Sequence, residues 1–164
     1  PMLFPDFLKI DISDITPLIG AISLGPIYGI VISFLKNLLQ FITGMSTTGG
    51  VGEFANFLIG SSFVFIASFI YSKEKDIKGL IKGLVFGIIT MIIVGCLANY
   101  FIILPFYSTI MPIEAVISMG SAINPIIVDK ITFILWIIAP FNLLKSSIIS
   151  LITLIIYKKI KTII

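Results

Sequence analysis

"IIAPFNLLKSSIISLITLIIYKK", residues 137–159, decides the fold class. A helix needs about 20 apolar residues to cross a bilayer, and this stretch supplies them. Asn142 and Lys145 nevertheless lie inside it, one helical turn apart and so on one face, just after Pro140. An amide and an ammonium group are costly in hydrocarbon unless protein or ligand pairs with them. The stretch therefore reads as a membrane span that carries a polar site.

Working outward, the whole chain has the same character. It is 58% hydrophobic with a mean hydropathy of +1.18, far above a soluble domain of 164 residues. At about 20 residues per span there is room for about five spanning helices and short loops. The fold class is all-α integral membrane, one domain over residues 1–164, with no space for a separate soluble module. The net charge of +3 is carried by lysine alone and gathers at segment edges, which is not a nucleic-acid signature. One cysteine, Cys96, excludes a disulfide framework, and the absence of histidine removes most zinc sites, histidine triads and histidine proton relays. No Walker-type loop is present, so an ATP-driven step has to come from a partner. The chain begins without an initiator Met and reads as a piece of a longer protein.

Residues 1–14 are too charged to span and form a loop at one membrane face, with Asp11 and Asp14 as caps and loop organisers. A short helix over 15–24 is broken at Gly25-Pro26, and Pro26 opens the next, which runs to about Thr43. Spans follow over 51–71, 78–100 and 134–157, with a connector at 105–130 that is partly helical around "IEAVISM". Lys73, Lys75, Lys78 and Lys82 flank one turn, and Lys158, Lys159 and Lys161 close the chain; the positive-inside rule makes both regions cytoplasmic. Residues 1–14, the loop at 44–52 and the connector then lie outside, at the plasma membrane.

That orientation gathers polar groups at one outer level. Lys145 lies thirteen residues before Lys158, roughly 20 Å along a helix. Asn99 ends an outward-going helix there, while Glu53 and Asn56, one turn apart, begin an inward-going one. Each has a second reading. Asn56 and Asn99 also suit interhelical hydrogen bonding, and Lys145 could extend its ammonium to the interface. Lys36 and Glu53 fit a structural ion pair across helices. The aromatic residues at this level suit either an interfacial belt or the walls of a flat ligand's pocket. An outer amphipathic pocket without catalytic machinery reads as solute capture.

"FLKIDISDITPLIGAISLGPIYGIVISFLKNLLQ", "GGVGEFANFLIG", "LANYFIILPFY" and "PFNLLKSSIISLITLIIYKKI", in this order, resemble the riboflavin-binding S component of energy-coupling-factor (ECF) vitamin transporters over nearly the whole chain. Members have six transmembrane helices, and this chain is similar to helices two to six, with residues 1–14 as the outer loop that covers the vitamin. The resemblance implies riboflavin as transported ligand rather than cofactor. It also implies a transmembrane coupling subunit and two ATPase subunits as partners, and no enzymatic activity. It carries ring contacts to Asn99, Asn142 and Lys145, and loop contacts, mainly through backbone groups, to Phe4, Asp6 and Leu8. Two Asn and one Lys suit the alternating acceptors and donor of the flavin's pyrimidine edge. Three other readings stay open: an S component for another flat vitamin such as thiamin, an ion-coupled secondary transporter using Lys36, Glu53 and Lys145, and a membrane enzyme using Glu53.

Overall fold

The structure is a computed structural model that describes residues 8, 11–44, 46 and 48–160. Phe4 and Asp6 lie outside the described residues. Six helical rods account for nearly all of the described chain. They are α1 (Ile15–Leu24), α2 (Pro26–Ile42), α3 (Val51–Glu74), α4 (Ile77–Ser108), α5 (Ile113–Ser121) and α6 (residues 130–160). Of these, α3, α4 and α6 are each long and apolar enough to cross a bilayer.

Local chemistry sets the boundaries. Gly25 has φ +115°, a conformation that a side chain would strain, and Pro26 takes the first position of α2. The result is an antiparallel hairpin of α1 and α2. Gly29 closes it: a Cβ there would lie 2.4 Å from the Cβ of Ala21 and 3.0 Å from the carbonyl oxygen of Pro17. The Asp76 side chain accepts from Gly79 N at 2.7 Å to start α4. Asp129 and Thr132 form a reciprocal capping box at the start of α6.

Two helices run further than the sequence suggests. Neither stops near its proline; α4 continues past Asn99 to Ser108, and α6 begins at Lys130. Pro105 and Pro140 lack an N–H, and each ring crowds the carbonyl four residues back, that of Phe101 and of Trp136. Those two residues sit at the centres of π-helical turns, Asn99–Ile103 and Ile134–Ile138. The wider turn makes room for the ring, so each rod bends its hydrogen bonding instead of breaking. The two wide turns also contact each other.

The core sits between α3 and α4, with α1 and α6 packed on it; Leu18, Phe63, Leu80, Met91 and Ile149 are fully buried. Small residues set the approach of α3 and α4 through the four-residue repeat Gly79, Gly83, Gly87. At the far end from the first helix's start, the hydroxyls of Tyr71 and Tyr157 meet at 3.2 Å and tie α3 to α6. Many apolar side chains remain exposed, among them Ile27, Phe34, Leu39 and Ile42 along α2, as befits a chain solvated by lipid.

A Cβ on Gly83 would lie 2.2 Å from the backbone oxygen of Ala67, whereas one on Gly20 would meet the flexible Cδ1 of Ile32. Gly83→Ala is therefore expected to cost about 2 kcal/mol or more and Gly20→Ala clearly less, because backbone cannot yield as a side-chain end can. Thermal unfolding of the two variants in detergent checks the order.

Candidate functional site

One end of the bundle holds a cavity of about 210 Å³. It lies where α1 and α3 begin, where α2 ends, beside the π-helical turn of α4 and along the first half of α6. Leu8, Asp11, Glu53, Asn56, Asn99, Asn142 and Lys145 all line it. The structure thus brings five elements of very different sequence position to one wall.

The two amides are fixed in the same way. Asn99 Nδ2 donates to the Gly95 carbonyl at 2.8 Å, and Asn142 Nδ2 donates to the Ile138 carbonyl at 2.9 Å. Each spends one N–H on its own helix, and an amide carries a second N–H and an oxygen besides. Gly95 joins them: it accepts from Asn99, and a Cβ on it would lie 2.6 Å from Asn142 Nδ2. The absence of a side chain at Gly95 is what lets α6 bring Asn142 against α4. Ile103, Tyr107 and Phe141 give the same cavity apolar and aromatic surface.

The charges are paired differently from the sequence expectation. Lys36 does not meet Glu53; its Nζ bonds Asp14 Oδ1 and lies 3.7 Å from Asp11 Oδ2. The reason is the hairpin register, since Asp14 and Lys36 each lie eleven positions from Gly25. Lys145 Nζ reaches the same carboxylate, 2.9 Å from Asp14 Oδ2, as an ion pair. Asp14 and Lys145 are almost fully buried, with side chains 1% and 5% exposed. Two unlike charges taken out of water need each other, and removing one partner strands the rest. Asp14 stands at the N-cap position of α1, but its side chain makes no capping bond, because both oxygens face ammonium groups. Gly60 of α3 leaves the space; a Cβ there would come within 3.0 Å of Asp14 Oδ1.

Asp11 completes the group from the loop before α1. Its two oxygens accept from Ser13 N at 2.8 Å and Ser13 Oγ at 2.7 Å. Burial alone would raise its pKa, but the Ser13 bonds and the Lys36 and Lys145 charges outweigh that and hold it below the ordinary value. Glu53 is buried and belongs to a separate cluster. Its Oε2 accepts from Ser46 Oγ at 2.8 Å and Thr48 Oγ1 at 3.3 Å, which ties the glycine-rich loop to the first turn of α3.

The sequence reading missed the bridging role of Asp14, and it missed Gln40, Thr48 and Ile59 on the cavity wall. A signal for Asp14 existed: two lysines in apolar helices need an acid, and the Gly25-Pro26 break fixes which acid faces Lys36. Nothing in the sequence marked Ile59, an apolar residue among many.

A helical membrane bundle with an amphipathic cavity at one end and no metal-binding cluster among the described residues is the form of a solute-capturing transport subunit. The chain matches the family model "ECF transporter, substrate-specific component" over residues 2–157, and it belongs to that family. It is a transport component of a multi-pass membrane type, not an enzyme. It is 34% identical over 156 residues to the riboflavin transporter RibU of Staphylococcus aureus (strain TCH60), covering 95% of this chain and 76% of that protein. It is 35% identical over 158 residues to the riboflavin transporter FmnP of Bacillus subtilis (strain 168), covering 96% and 78%. Its fold is similar to the solved S component of a bacterial ECF transporter, with a TM-score of 0.76 and 32% identity over 99% of this chain and 83% of that one.

The pairing pattern has a measurable consequence. Asp14→Asn leaves two ammonium groups facing a neutral amide and is expected to destabilise the protein by about 3 kcal/mol. A double-mutant cycle of Lys36→Met with Asp14→Asn should show strong coupling, and one of Lys36→Met with Glu53→Gln close to none. Chemical unfolding of the single and double variants reads both cycles.

Proposed function

We propose that this chain captures riboflavin at the outer face of the plasma membrane and delivers it for ATP-driven uptake through an ECF complex. The observation that carries the reading is the convergence of Asn99, Asn142 and Lys145, from two separate helices, on one cavity with aromatic walls. The riboflavin transporters among its relatives supply the ligand. The chemistry agrees with them. Each Asn offers a donor and an acceptor, and Lys145 offers donors alone, a set that matches the carbonyl and N–H groups along a flavin's pyrimidine edge. Riboflavin is neutral near pH 7, and the Lys145 charge is already balanced by Asp14, so ligand entry requires no new counter-ion. Leu8, Phe4 and Asp6 of the opening loop would cover the ligand, mainly through backbone groups.

No nucleotide-binding loop occurs in the chain, so the coupling subunit and two ATPase subunits would supply the energy. In the orientation this requires, the cavity opens outward. The lysines at 73–82 and at 158–161 then lie in the cytoplasm, as the positive-inside rule asks.

Binding titrations on the purified protein test the site. Asn99→Leu, Asn142→Leu and Lys145→Met should each weaken riboflavin by roughly 1 to 3 kcal/mol, about tenfold to a hundredfold, because part of the ligand's polar edge loses its partner. Ser150→Ala is the control. It lies on α6 toward the C-terminus, and its buried hydroxyl has no described partner to lose, so its affinity should stay near wild type. Equal affinity in all four variants would refute the site.

Topology is tested separately. With Cys96 replaced, a membrane-impermeant thiol reagent applied from outside should label a cysteine placed at Ser118 and spare one at Lys75, both exposed positions. The reverse pattern would invert the orientation and close the cavity to the outside.

A further inference from the structure

The end of the bundle away from the cavity carries a dense group of lysines. The hydroxyl contact between Tyr71 and Tyr157 ties the end of α3 to the end of α6 there. Lys73, Lys75, Lys78 and Lys82 follow the first tyrosine, Lys158 and Lys159 follow the second, and all six are exposed. The acids among the described residues of this end are Glu74 and Asp76. Glu74 accepts from Lys82 Nζ at 2.7 and 3.0 Å, and the Asp76 side chain caps α4 through Gly79 N. Lys73, Lys75 and Lys78 form no ion pair among the described residues.

Two of these three stand where the backbone disfavours them. Lys75, the residue after α3, has φ +44° and is the one described non-glycine residue with a positive φ. Its N–H donates to the Tyr71 carbonyl at 2.8 Å, in a helix-ending position that glycine ordinarily fills because a Cβ is strained there. Lys78 stands in the first turn of α4, where the aligned peptide dipoles repel a cation, and that turn contains no acid. Orientation of the spans asks for positive charge near them, but not at these two places.

Lys73 supplies a second feature. Phe65, Phe69 and Lys73 follow one another at four-residue spacing along α3, and both rings are partly exposed. The rings stack with centroids 5.8 Å apart, and Lys73 Nζ lies 4.6 Å over the Phe69 ring. An apolar stripe thus leads up to an ammonium group, which is the complement of an amphiphile with an anionic head.

We propose that this end of the bundle binds anionic phospholipid, with an acyl chain along Phe65 and Phe69 and the headgroup phosphate among Lys73, Lys75 and Lys78. The inference is independent of the riboflavin reading. Ammonium groups on flexible stems suit a phosphate whose orientation varies, and charge-assisted bonds to it are stronger than neutral ones. Each lysine near an anionic leaflet strengthens the attraction by about fivefold. A zwitterionic phospholipid brings the same phosphate but offsets it with its own cation.

Thermal unfolding of the purified protein in neutral detergent tests this, with phosphatidylglycerol or phosphatidylcholine added at equal mole fraction. Phosphatidylglycerol should raise the unfolding midpoint by several degrees more than phosphatidylcholine at about 0.05 M salt, and the difference should fade by about 0.5 M. Lys75→Gln combined with Lys78→Gln should need about tenfold or more phosphatidylglycerol for the same rise, whereas Lys130→Gln, at the other end of α6, should match the parent. Lys75→Gly separates lipid binding from a structural role. It relieves the positive φ, so it should unfold no lower than the parent in phosphatidylcholine while its response to phosphatidylglycerol falls. Soluble glycerol 1-phosphate should give no rise, because it lacks the chain that follows the Phe65 and Phe69 rings. A rise equal to that with phosphatidylglycerol would make this a free-phosphate site and overturn the lipid assignment. Equal responses of the parent to the two lipids, or an undiminished response in the double variant, would also overturn it and leave these lysines to a protein partner.

Discussion

The Asp14 carboxylate, buried where α1 begins, is held between ammonium groups that α2 and α6 bring to it. A charge in that position is tolerable when its partners are near, and each partner is tolerable for the same reason. The cluster therefore constrains three segments at once: the hairpin must keep its register, α6 must dock beside it, and α3 must present a glycine at position 60. The cavity grows out of this constraint. Lys145 is pinned by Asp14 on one side and lines the cavity on the other, which gives a flexible side chain a defined place.

Backbone economy does the rest of the shaping. Two prolines that would break ordinary helices are absorbed by two π-helical turns, which meet each other beside the cavity. Asn99 stands at the first residue of one wide turn, and Asn142 follows the other by one helical turn, bonded to its last residue. Gly95 then removes the bulk that would separate them. Polar groups in a membrane bundle are costly when exposed to lipid, so their gathering around a shared cavity is the arrangement that lipid solvation favours.

Membership of the substrate-specific components of ECF transporters fits a chain that has a cavity and spans but lacks a nucleotide loop. The division of charge within the cavity adds a chemical logic. Among the described residues, two acids and two lysines form one cluster, and Glu53 stands apart, bonded to the glycine-rich loop.

The sequence by itself determined the class and pointed to several of the residues that line the cavity. Length and apolarity permit no other solvent than lipid, and the one-turn spacing of Asn142 and Lys145 puts them on one face whatever surrounds them. The family was legible for the same reason, because its motifs are local strings. Lining of the cavity by Asn99, Asn142, Lys145 and Glu53 followed from helix direction, which charge at the loops encodes. Which acid meets which lysine was decided by the tertiary structure. Lys36 could face Glu53 or Asp14 as far as composition goes, and the crossing set by Gly25, Gly29 and Gly60 chooses Asp14. The passage of α4 and α6 through their prolines was also a tertiary outcome. A proline forbids one hydrogen bond, but only packing against neighbouring helices repays the widened turn that lets the rod continue.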